Sequence, residues 1–365
     1  MSILFIFLSF LISISISALS IPKIILIAYR KRLFDCLQCR KIHHTLIPRL
    51  GGAAFIISII IATSVTIGII LHTEKVEMDS VPLLIGLCSV LILGFTGIAD
   101  DLVTLKYKNK FIIQFLVALL TDSSGVYIDN FYGLFSIQQI PLWIAFPFSV
   151  LFIVYVINSI NLIDGIDGLA SGICGIAFAV LGVLFLQQHQ IIYAVVSFSS
   201  MGMLIPFFYY NVLAKDKYKI FMGDSGSLTI GYILVFLLIK FSNGQSLQGT
   251  EVCPCTEIIA VSLILIPILD VLRVMFCRLR KHVNIFLPDT NHIHHKFLAA
   301  GFSPRGSMFL LLIDGLVLTI INSTLAREVN INVILLLDIM LYAALNVYLS
   351  RKAKEIRKVS QYIGS

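Results

Sequence analysis

Apolar runs of about 20 residues recur along the whole 365-residue chain, and they constrain its fold more than any other feature. A helix that crosses the hydrocarbon core of a bilayer needs roughly 20 apolar residues. Runs of this kind occupy residues 2–28, 51–71, 81–99, 110–127, 141–160, 171–188, 191–209, 226–241, 257–276, 307–325 and 332–350. They predict an all-α polytopic membrane protein with about eleven transmembrane helices. Residues 1–350 would form one integral membrane domain, and residues 351–365 a basic cytoplasmic tail.

Composition excludes the main soluble classes. Hydrophobic residues make up 58% of the chain and charged residues 13%, against roughly 45–50% and 25% in soluble domains. A soluble globule, a disordered chain, a coiled coil and a disulfide-linked secreted scaffold are therefore excluded. The net charge of +7 indicates loops that face anionic lipid. No loop is long enough to form a nucleic-acid-binding domain, so the expected partner is the lipid bilayer and not a nucleic acid.

The distribution of basic residues predicts the orientation. In the first run, the positive charges at Lys23, Arg30, Lys31 and Arg32 follow the apolar stretch, whereas a signal peptide carries them before it. This order favours an uncleaved helix with its N-terminus outside, and eleven spans then put the C-terminus in the cytoplasm. In this topology 23 of the 27 Lys and Arg residues lie on the inner side, as the positive-inside rule requires.

Carboxylates collect at the cytoplasmic ends of the predicted spans. They occur in three groups: Asp100 with Asp101, then Asp164 and Asp167 beside Asn161, and Asp224. Taken singly, such residues are often helix caps or turns. Together they predict an active site on the cytoplasmic face. Clustered carboxylates repel at low dielectric, and Mg²⁺ is usually held by one or two carboxylates, with waters and substrate phosphates completing its shell; Mn²⁺ is an alternative.

The residues around these carboxylates suggest how a ligand could approach. If residues 161–167 are helical, Asn161, Asp164 and Asp167 share one face because they recur every third residue. Gly165, Gly168, Gly223 and Gly226 would leave the surface bare for a ligand. The backbone N–H groups of Ser225 and Gly226 could then bind phosphate oxygens.

The loop that precedes the tenth run carries the opposite charge. It contains basic residues and, in its last part, three closely spaced histidines: Arg278, Arg280, Lys281, His292, His294, His295 and Lys296. This set favours binding of a polyanion, while a metal site on His292 and His295 or a plain basic loop are the alternatives. A separate zinc site is conceivable at Cys36 and Cys39 with His43 and His44, but the two histidines are adjacent rather than three to five residues apart.

Six motifs follow one another in a family-specific order. They are Arg40-Lys-Ile-His43 with Pro48-Arg-Leu-Gly-Gly52, Asp100-Asp101, Asn161-Leu-Ile-Asp-Gly-Ile-Asp-Gly-Leu169, Gly223-Asp-Ser-Gly-Ser227, Pro267-Ile-Leu-Asp270 and His292-Ile-His-His295. This order resembles the polyprenyl-phosphate N-acetylhexosamine-1-phosphate transferases. The His-Ile-His-His form is similar to the bacterial branch that uses UDP-N-acetylglucosamine and undecaprenyl phosphate.

The resemblance implies a reaction and a place in the cell. The chain would transfer N-acetylglucosamine-1-phosphate from UDP-N-acetylglucosamine to undecaprenyl phosphate in the bacterial cytoplasmic (inner) membrane. UMP would be released, and the product would start a surface glycan such as O-antigen, common antigen or teichoic acid. Another UDP-N-acetylhexosamine or UDP-N-acetylmuramoyl-pentapeptide is the alternative donor, and a homodimer is one assembly that the resemblance allows. An ion-coupled transporter is the alternative of another class, and it would place carboxylates near the middle of spans.

The resemblance also implies roles for individual residues. Asp224 would bind Mg²⁺, with Asn161 as a second ligand. Four aspartates are assigned to catalysis. Asp100 would position or deprotonate the lipid phosphate, and Asp101 would support that phosphate or the metal. The nucleotide-diphosphate pocket would be shaped by Asp164 and Asp167. The substrate-binding residues would hold uracil, the sugar and the phosphates: Phe221, Arg278, His292, His294, His295, Lys110 and Arg49. Direct attack by the lipid phosphate and a covalent aspartyl intermediate both remain open.

Overall fold

The fold is entirely helical in the part of the chain that the structure describes. The computed structural model describes residues 2–33, 47–74, 80–243, 255–284 and 291–363, and within these ranges it contains twelve α-helices and no β-strand. In chain order the helices are α1 (Ser2–Lys31), α2 (Ala53–Glu74), α3 (Ser80–Val103), α4 (Tyr107–Ser123), α5 (Leu142–Ile163), α6 (Leu169–Gln187), α7 (Ile191–Phe208), α8 (Gly223–Asn243), α9 (Cys255–Arg280), α10 (Ile293–Ala299), α11 (Pro304–Leu325) and α12 (Ile331–Ile363).

Ten helices of the described chain are long and apolar enough to cross a membrane, so the prediction of a polytopic all-α membrane protein is confirmed. The difference from the predicted eleven is the fourth run, 110–127. This run forms α4, which has only 17 residues and begins with Tyr-Lys-Asn-Lys. The two lysines shorten the apolar part of the helix. The proposed zinc ligands Cys36, Cys39, His43 and His44 lie outside the described residues.

The described chain divides into two compact units. The first comprises residues 1–129, 141–161 and 170–252, and the second comprises residues 130–140, 162–169 and 253–365. Helix α8 belongs to the first unit. Of the residues in its most apolar stretch, 89% are buried, more than in any other candidate span of the described chain.

Small residues allow helices of the first unit to approach closely, as is usual between membrane helices. On α1, the hydroxyls of Ser13 and Ser17 donate to the backbone oxygens of Ser199 and Met203 on α7, at 2.6 and 2.8 Å. Helix α3 meets the start of α8 at Gly97, where an added Cβ would lie 2.3 Å from the Cα of Ser225. This contact places the end of α3 directly against the beginning of α8.

A buried polar contact joins three helices of the second unit. The side-chain amide of Asn322 on α11 donates to Ser262 on α9 at 2.8 Å and to the carboxylate of Asp338 on α12 at 2.7 Å. All three residues are almost fully buried. A polar side chain inside a membrane helix needs such partners, so this contact fixes the packing of α9, α11 and α12.

Close packing at Gly97 can be tested by adding one methyl group. We expect Gly97→Ala to destabilise the protein by roughly 1–3 kcal/mol, because its Cβ would meet the backbone of α8. The matched control is Gly68→Ala on α2, where an added Cβ meets nothing within 4 Å and alanine favours the helix. Thermal unfolding in detergent measures both variants. Equal unfolding midpoints for the two would contradict the packing described here.

Candidate active site

Backbone hydrogen bonds hold the segment before α8 against residues 48–52. The N–H of Phe221 donates to Pro48 O at 2.9 Å, Gly51 N–H to Phe221 O at 3.0 Å, and Gly52 N–H to Met222 O at 2.9 Å. An added Cβ on Gly52 would lie 1.9 Å from the backbone nitrogen of Gly226. The Pro-Arg-Leu-Gly-Gly motif therefore packs on the Gly-Asp-Ser-Gly motif and sets the position of Asp224.

The beginning of α8 receives its cap from another helix. The first N–H groups of an α-helix have no acceptor within the helix. Here the carboxylate of Asp101 on α3 accepts from the backbone N–H of Asp224 at 2.8 Å and of Ser225 at 3.1 Å. Gly223 has φ +71°, and an added Cβ there would strike Arg49 O and the Asp101 carboxylate. Asp101 thus supports α8, whereas the resemblance assigned it to the lipid phosphate or the metal.

This packing corrects the expectation that the glycines around Asp224 leave a bare surface for a ligand. Gly223 faces Arg49 and Asp101, and an added Cβ on Gly226 would lie 2.3 Å from the Met222 side chain. The N–H of Ser225, expected to bind phosphate, donates to Asp101. Glycine is required here because two segments of the protein's own backbone meet.

One lysine links two of the predicted site aspartates. The Nζ atom of Lys110, near the start of α4, lies 3.0 Å from Asp100 Oδ2 and 2.7 Å from Asp224 Oδ2. The other oxygen of Asp100 accepts from Leu105 N–H at 2.6 Å. The two carboxylates therefore share one ammonium, and each of the three groups has an oppositely charged partner within 3.0 Å.

Asn161 completes this group, which we call the carboxylate–lysine cluster: Asp100, Lys110, Asp224 and Asn161. The Asn161 side-chain nitrogen donates to Asp224 Oδ1 at 3.2 Å and to Ser227 Oγ at 2.8 Å. Ser227 was not among the sequence-based candidates. Its hydroxyl in turn donates to Gly223 O at 3.0 Å, so the start of α8 determines how the Asn161 amide is oriented.

The donor set of this cluster fits Mg²⁺. The described residues contain no group of three or more His, Cys, Asp or Glu side chains placed to hold a metal. Magnesium does not need one, since it is usually held by one or two carboxylates. Oxygens of Asp100 and Asp224 already converge on one cation, the Lys110 ammonium. A further cation beside Asp224 would meet hard oxygen donors.

Two further candidates of the first unit flank the cluster. Arg49 and Phe221 are half-buried, and both belong to the paired segments that lead into α8. Their backbone positions are consistent with roles beside Asp224.

The second unit contains Asp164 and Asp167, and here the structure corrects the expectation of a continuous helix. Helix α5 ends at Ile163 and α6 begins at Leu169, so both aspartates lie in the turn between them. Gly168 has φ +81°, a left-handed conformation that favours glycine and interrupts a helix. The two half-buried carboxylates therefore do not share a helical face with Asn161.

The histidines gather around α10. The rings of His292 and His294 are parallel, with centroids 5.8 Å apart, and the His294 and His295 centroids are 4.2 Å apart. An added Cβ on Gly165 would lie 2.2 Å from His294 Nε2, so the 164–168 turn and α10 are in contact. Burial, reinforced by His295 and His292, lowers the pKa of His294 to about 3. At neutral pH His294 can offer hydrogen bonds but no charge to a ligand.

Asp270 of α9 is a functional candidate to which the sequence assigned no role. Its Oδ2 atom lies 2.8 Å from His292 Nδ1, and its Oδ1 atom accepts from Ile293 N–H at 2.9 Å. Arg278, also on α9, is buried and donates to Asn284 O at 3.2 Å. The Pro267-Ile-Leu-Asp270 motif and its nearness in sequence to the histidines were the only signals that could have suggested this contact.

Comparison with known proteins gives a consistent set of relatives. The model of glycosyl transferase family 4 matches residues 83–242. A Bacillus subtilis (strain 168) protein, named probable undecaprenyl-phosphate N-acetylglucosaminyl 1-phosphate transferase, is 31% identical over 86% of this chain and 82% of its own length. A Yersinia pestis protein is 30% identical over 81% of this chain and 77% of its own length. An Escherichia coli (strain K12) protein is 30% identical over 78% of this chain and 74% of its own length. Both are named undecaprenyl-phosphate alpha-N-acetylglucosaminyl 1-phosphate transferase.

The fold and the carboxylate–lysine cluster first define a class. It is a multi-pass helical membrane protein with charged groups at the end of α3 and near the starts of α4 and α8. The relatives then identify the family. The chain belongs to the family of the undecaprenyl-phosphate N-acetylglucosaminyl 1-phosphate transferases, it matches the glycosyl transferase family 4 model over residues 83–242, and it is a transferase. This assignment confirms the family resemblance drawn from the six motifs and favours an enzyme over an ion-coupled transporter.

The link made by Lys110 can be tested through stability. We expect Lys110→Met to destabilise the protein, because Asp100 and Asp224 lose their shared cation. The cost should be roughly 1–3 kcal/mol, which lies between the effects of breaking an exposed and a buried ion pair. Lys108→Met is the matched control, since Lys108 is exposed on the same helix and should change stability by less than about 0.5 kcal/mol. Thermal unfolding at pH 7.5 and low salt compares them, and indistinguishable midpoints would refute the link.

The buried, neutral state of His294 predicts a pH dependence. Its folded pKa of about 3 lies below the unfolded value of about 6.5, so the unfolded chain binds the extra proton first. Stability therefore falls as the pH drops below about 6.5, by about 2 kcal/mol at pH 5 from this residue. In the variant His294→Gln, the free energy of unfolding should therefore fall less between pH 7 and pH 5 than in the wild type. An equal fall in both proteins would show that His294 is not buried in its neutral form.

Proposed function

We propose that this transferase moves N-acetylglucosamine-1-phosphate from UDP-N-acetylglucosamine to undecaprenyl phosphate and releases UMP, as the first step of a cell-surface glycan. The names of the relatives support the donor and the acceptor. The observation that carries the proposal is the carboxylate–lysine cluster, in which two carboxylates share a cation at the ends of membrane helices. Phosphoryl transfer depends chiefly on charge neutralisation and alignment, and this cluster offers both.

The chemistry follows from the charges of the reactants. A phosphate oxygen of the lipid attacks the phosphorus next to the sugar, the new P–O bond forms, and the bond to the UMP oxygen breaks. At neutral pH a phosphate monoester is largely ionised, since its second pKa is about 6. Asp100 therefore serves to position this phosphate beside Lys110, and proton abstraction is not required.

Asp224, with Asn161 beside it, would hold Mg²⁺, and Mn²⁺ has the same preference for oxygen ligands. The ion would neutralise the donor diphosphate. Asp164 and Asp167 would shape the diphosphate pocket, and Phe221 would stack on uracil. Arg278 and the three histidines would bind sugar and phosphate, while Arg49 would meet the lipid phosphate. Asp101 would act through α8, because its oxygens accept from the helix backbone.

The membrane topology is part of the same proposal. If the N-terminus is outside and the basic residues 351–365 are cytoplasmic, as the charges favour, the number of crossings must be odd. Ten helices qualify by length and composition, so α4 would be the eleventh. Its 17 residues span about 26 Å at 1.5 Å per residue, close to the roughly 30 Å hydrocarbon core. The proposed location is the bacterial inner membrane, with the cluster on the cytoplasmic face.

UMP release tests the reaction. The detergent-purified protein is supplied with undecaprenyl phosphate, Mg²⁺ and UDP-N-acetylglucosamine, and we expect lipid-dependent UMP that disappears with EDTA. Asp224→Asn should lower kcat by on the order of 100- to 1,000-fold, the usual effect of losing one electrostatic group at a transition state. Asp216→Asn is the matched control, since Asp216 is exposed eight residues earlier in the chain, and it should retain wild-type activity.

The outcomes separate the parts of the proposal. UMP release only with another UDP-N-acetylhexosamine or with UDP-N-acetylmuramoyl-pentapeptide would keep the reaction and change the donor. Release that survives EDTA would remove Mg²⁺ from the mechanism. Folded protein that releases UMP from none of these donors would refute the proposed reaction.

A further inference from the structure

We propose that Asp270 is a positioning residue of this transferase, which fixes the imidazole of His292 and the start of α10, and that Tyr342 of α12 supports it. The proposal rests on the proposed function in one respect, namely that His292 contacts substrate. It assigns a role to the Pro267-Ile-Leu-Asp270 motif, which the reaction described above does not use.

Four hydrogen-bond donors surround the Asp270 carboxylate. Oδ2 lies 2.8 Å from His292 Nδ1. Oδ1 accepts from Ile293 N–H at 2.9 Å, from the Arg273 guanidinium at 2.7 Å and from the Tyr342 hydroxyl at 3.0 Å. Asp270 is 1% exposed. A carboxylate that is buried and engaged in this way acts on the neighbouring protein groups and not on the substrate.

The contact with His292 determines what that ring can do. An ionised carboxylate only accepts hydrogen bonds, so the proton between the two groups belongs to Nδ1 of His292. The other ring nitrogen, Nε2, is then the atom that can serve a ligand. A carboxylate that fixes the tautomer and the orientation of a histidine is a common supporting contact in enzyme and metal sites.

The same carboxylate also fixes the backbone. His292 precedes α10 and makes no capping hydrogen bond with its own side chain. Asp270 supplies the missing acceptor for Ile293 N–H. Arg273 additionally donates to Asn291 O, so two residues of α9 hold the segment that enters α10. The side chain and the backbone of His292 are thus positioned from one helix.

Helix α12 supports this arrangement at a second point. The ammonium of Lys296, on α10, donates to Asn346 Oδ1 at 3.0 Å and to Ser350 Oγ at 3.2 Å. Tyr342, Asn346 and Ser350 recur every fourth residue and therefore lie on one face of α12. Through Tyr342 this face contacts Asp270, which holds the start of α10. Through Asn346 and Ser350 it contacts Lys296 within α10. Helix α12 therefore supports the histidine-bearing helix at two points.

Steady-state kinetics of UMP release tests the proposal. Asp270→Asn keeps the shape and the Oδ1 acceptor but can present an N–H to His292 Nδ1, so we expect kcat to fall about 10- to 100-fold. Tyr342→Phe removes one hydroxyl and should lower kcat about 2- to 10-fold. Tyr348→Phe is the matched control, because Tyr348 is exposed on the same helix, and kcat and KM should stay at wild-type values.

A double-mutant cycle separates positioning from a general loss of stability. If Asp270 acts through His292, Asp270→Asn should have little further effect on kcat/KM in a His292→Ala background. If the two effects multiply, Asp270 acts independently of His292, and its proposed role in fixing the imidazole is wrong. The same cycle with Tyr342→Phe covers the case in which Asp270→Asn does not fold.

A measurement without turnover separates this proposal from the reaction itself. Hydrogen exchange of the backbone amides in α10 should become faster in Asp270→Asn and Tyr342→Phe than in the wild type and in Tyr348→Phe. Faster exchange in a protein that releases no UMP would refute the proposed reaction while supporting the positioning of α10. Wild-type exchange rates in both variants would overturn the positioning role.

Discussion

Two helix starts that carry candidate site residues depend on a carboxylate supplied by a neighbouring helix. The first N–H groups of a helix lack acceptors within it, and leaving them unpaired away from water is costly. Asp101 of α3 satisfies those of Asp224 and Ser225, and Asp270 of α9 satisfies that of Ile293. Each contact also fixes the side chain at the helix start, Asp224 in one case and His292 in the other. Helix packing thereby determines the position of each candidate site residue.

The two neighbouring aspartates of α3 have different partners because one of them caps α8. Asp101 is engaged by the backbone of α8, whereas Asp100 faces Lys110 together with Asp224. Two carboxylates at low dielectric need a counter-charge, and Lys110 provides it without closing the cluster, since about a quarter of its side chain is exposed. A phosphate can approach the lysine and a cation can approach the carboxylates. The two aspartates of this pair therefore have different structural partners.

The apolar runs predicted most of the fold because burial in a bilayer selects for helix length and composition alone. The fourth run differs from the other ten, since the first turn of α4 contains Lys108 and Lys110, which shorten its apolar part, and Lys110 belongs to the carboxylate–lysine cluster. The motifs brought Asp100, Lys110, Asn161 and Asp224 forward as candidates, and the structure places them together. The capping role of Asp101 and the contacts of Asp270 with Tyr342 could not be predicted, because they join residues 123 and 72 positions apart. Such contacts depend on how helices pack, which periodicity does not encode.

Glycine in these motifs has a different physical meaning from the one that the sequence suggests. A Gly-Asp-Ser-Gly segment is readily interpreted as a surface that a phosphate can approach. Here Gly52 lies against Gly226, Gly97 against Ser225, and Gly223 against Arg49 and Asp101. Any side chain at these positions would push the start of α8 away from Asp101 and Asp224 away from Lys110. The glycines thus act on the chemistry through backbone packing, because hydrogen bonds of about 3 Å do not tolerate the displacement that one methyl group would cause.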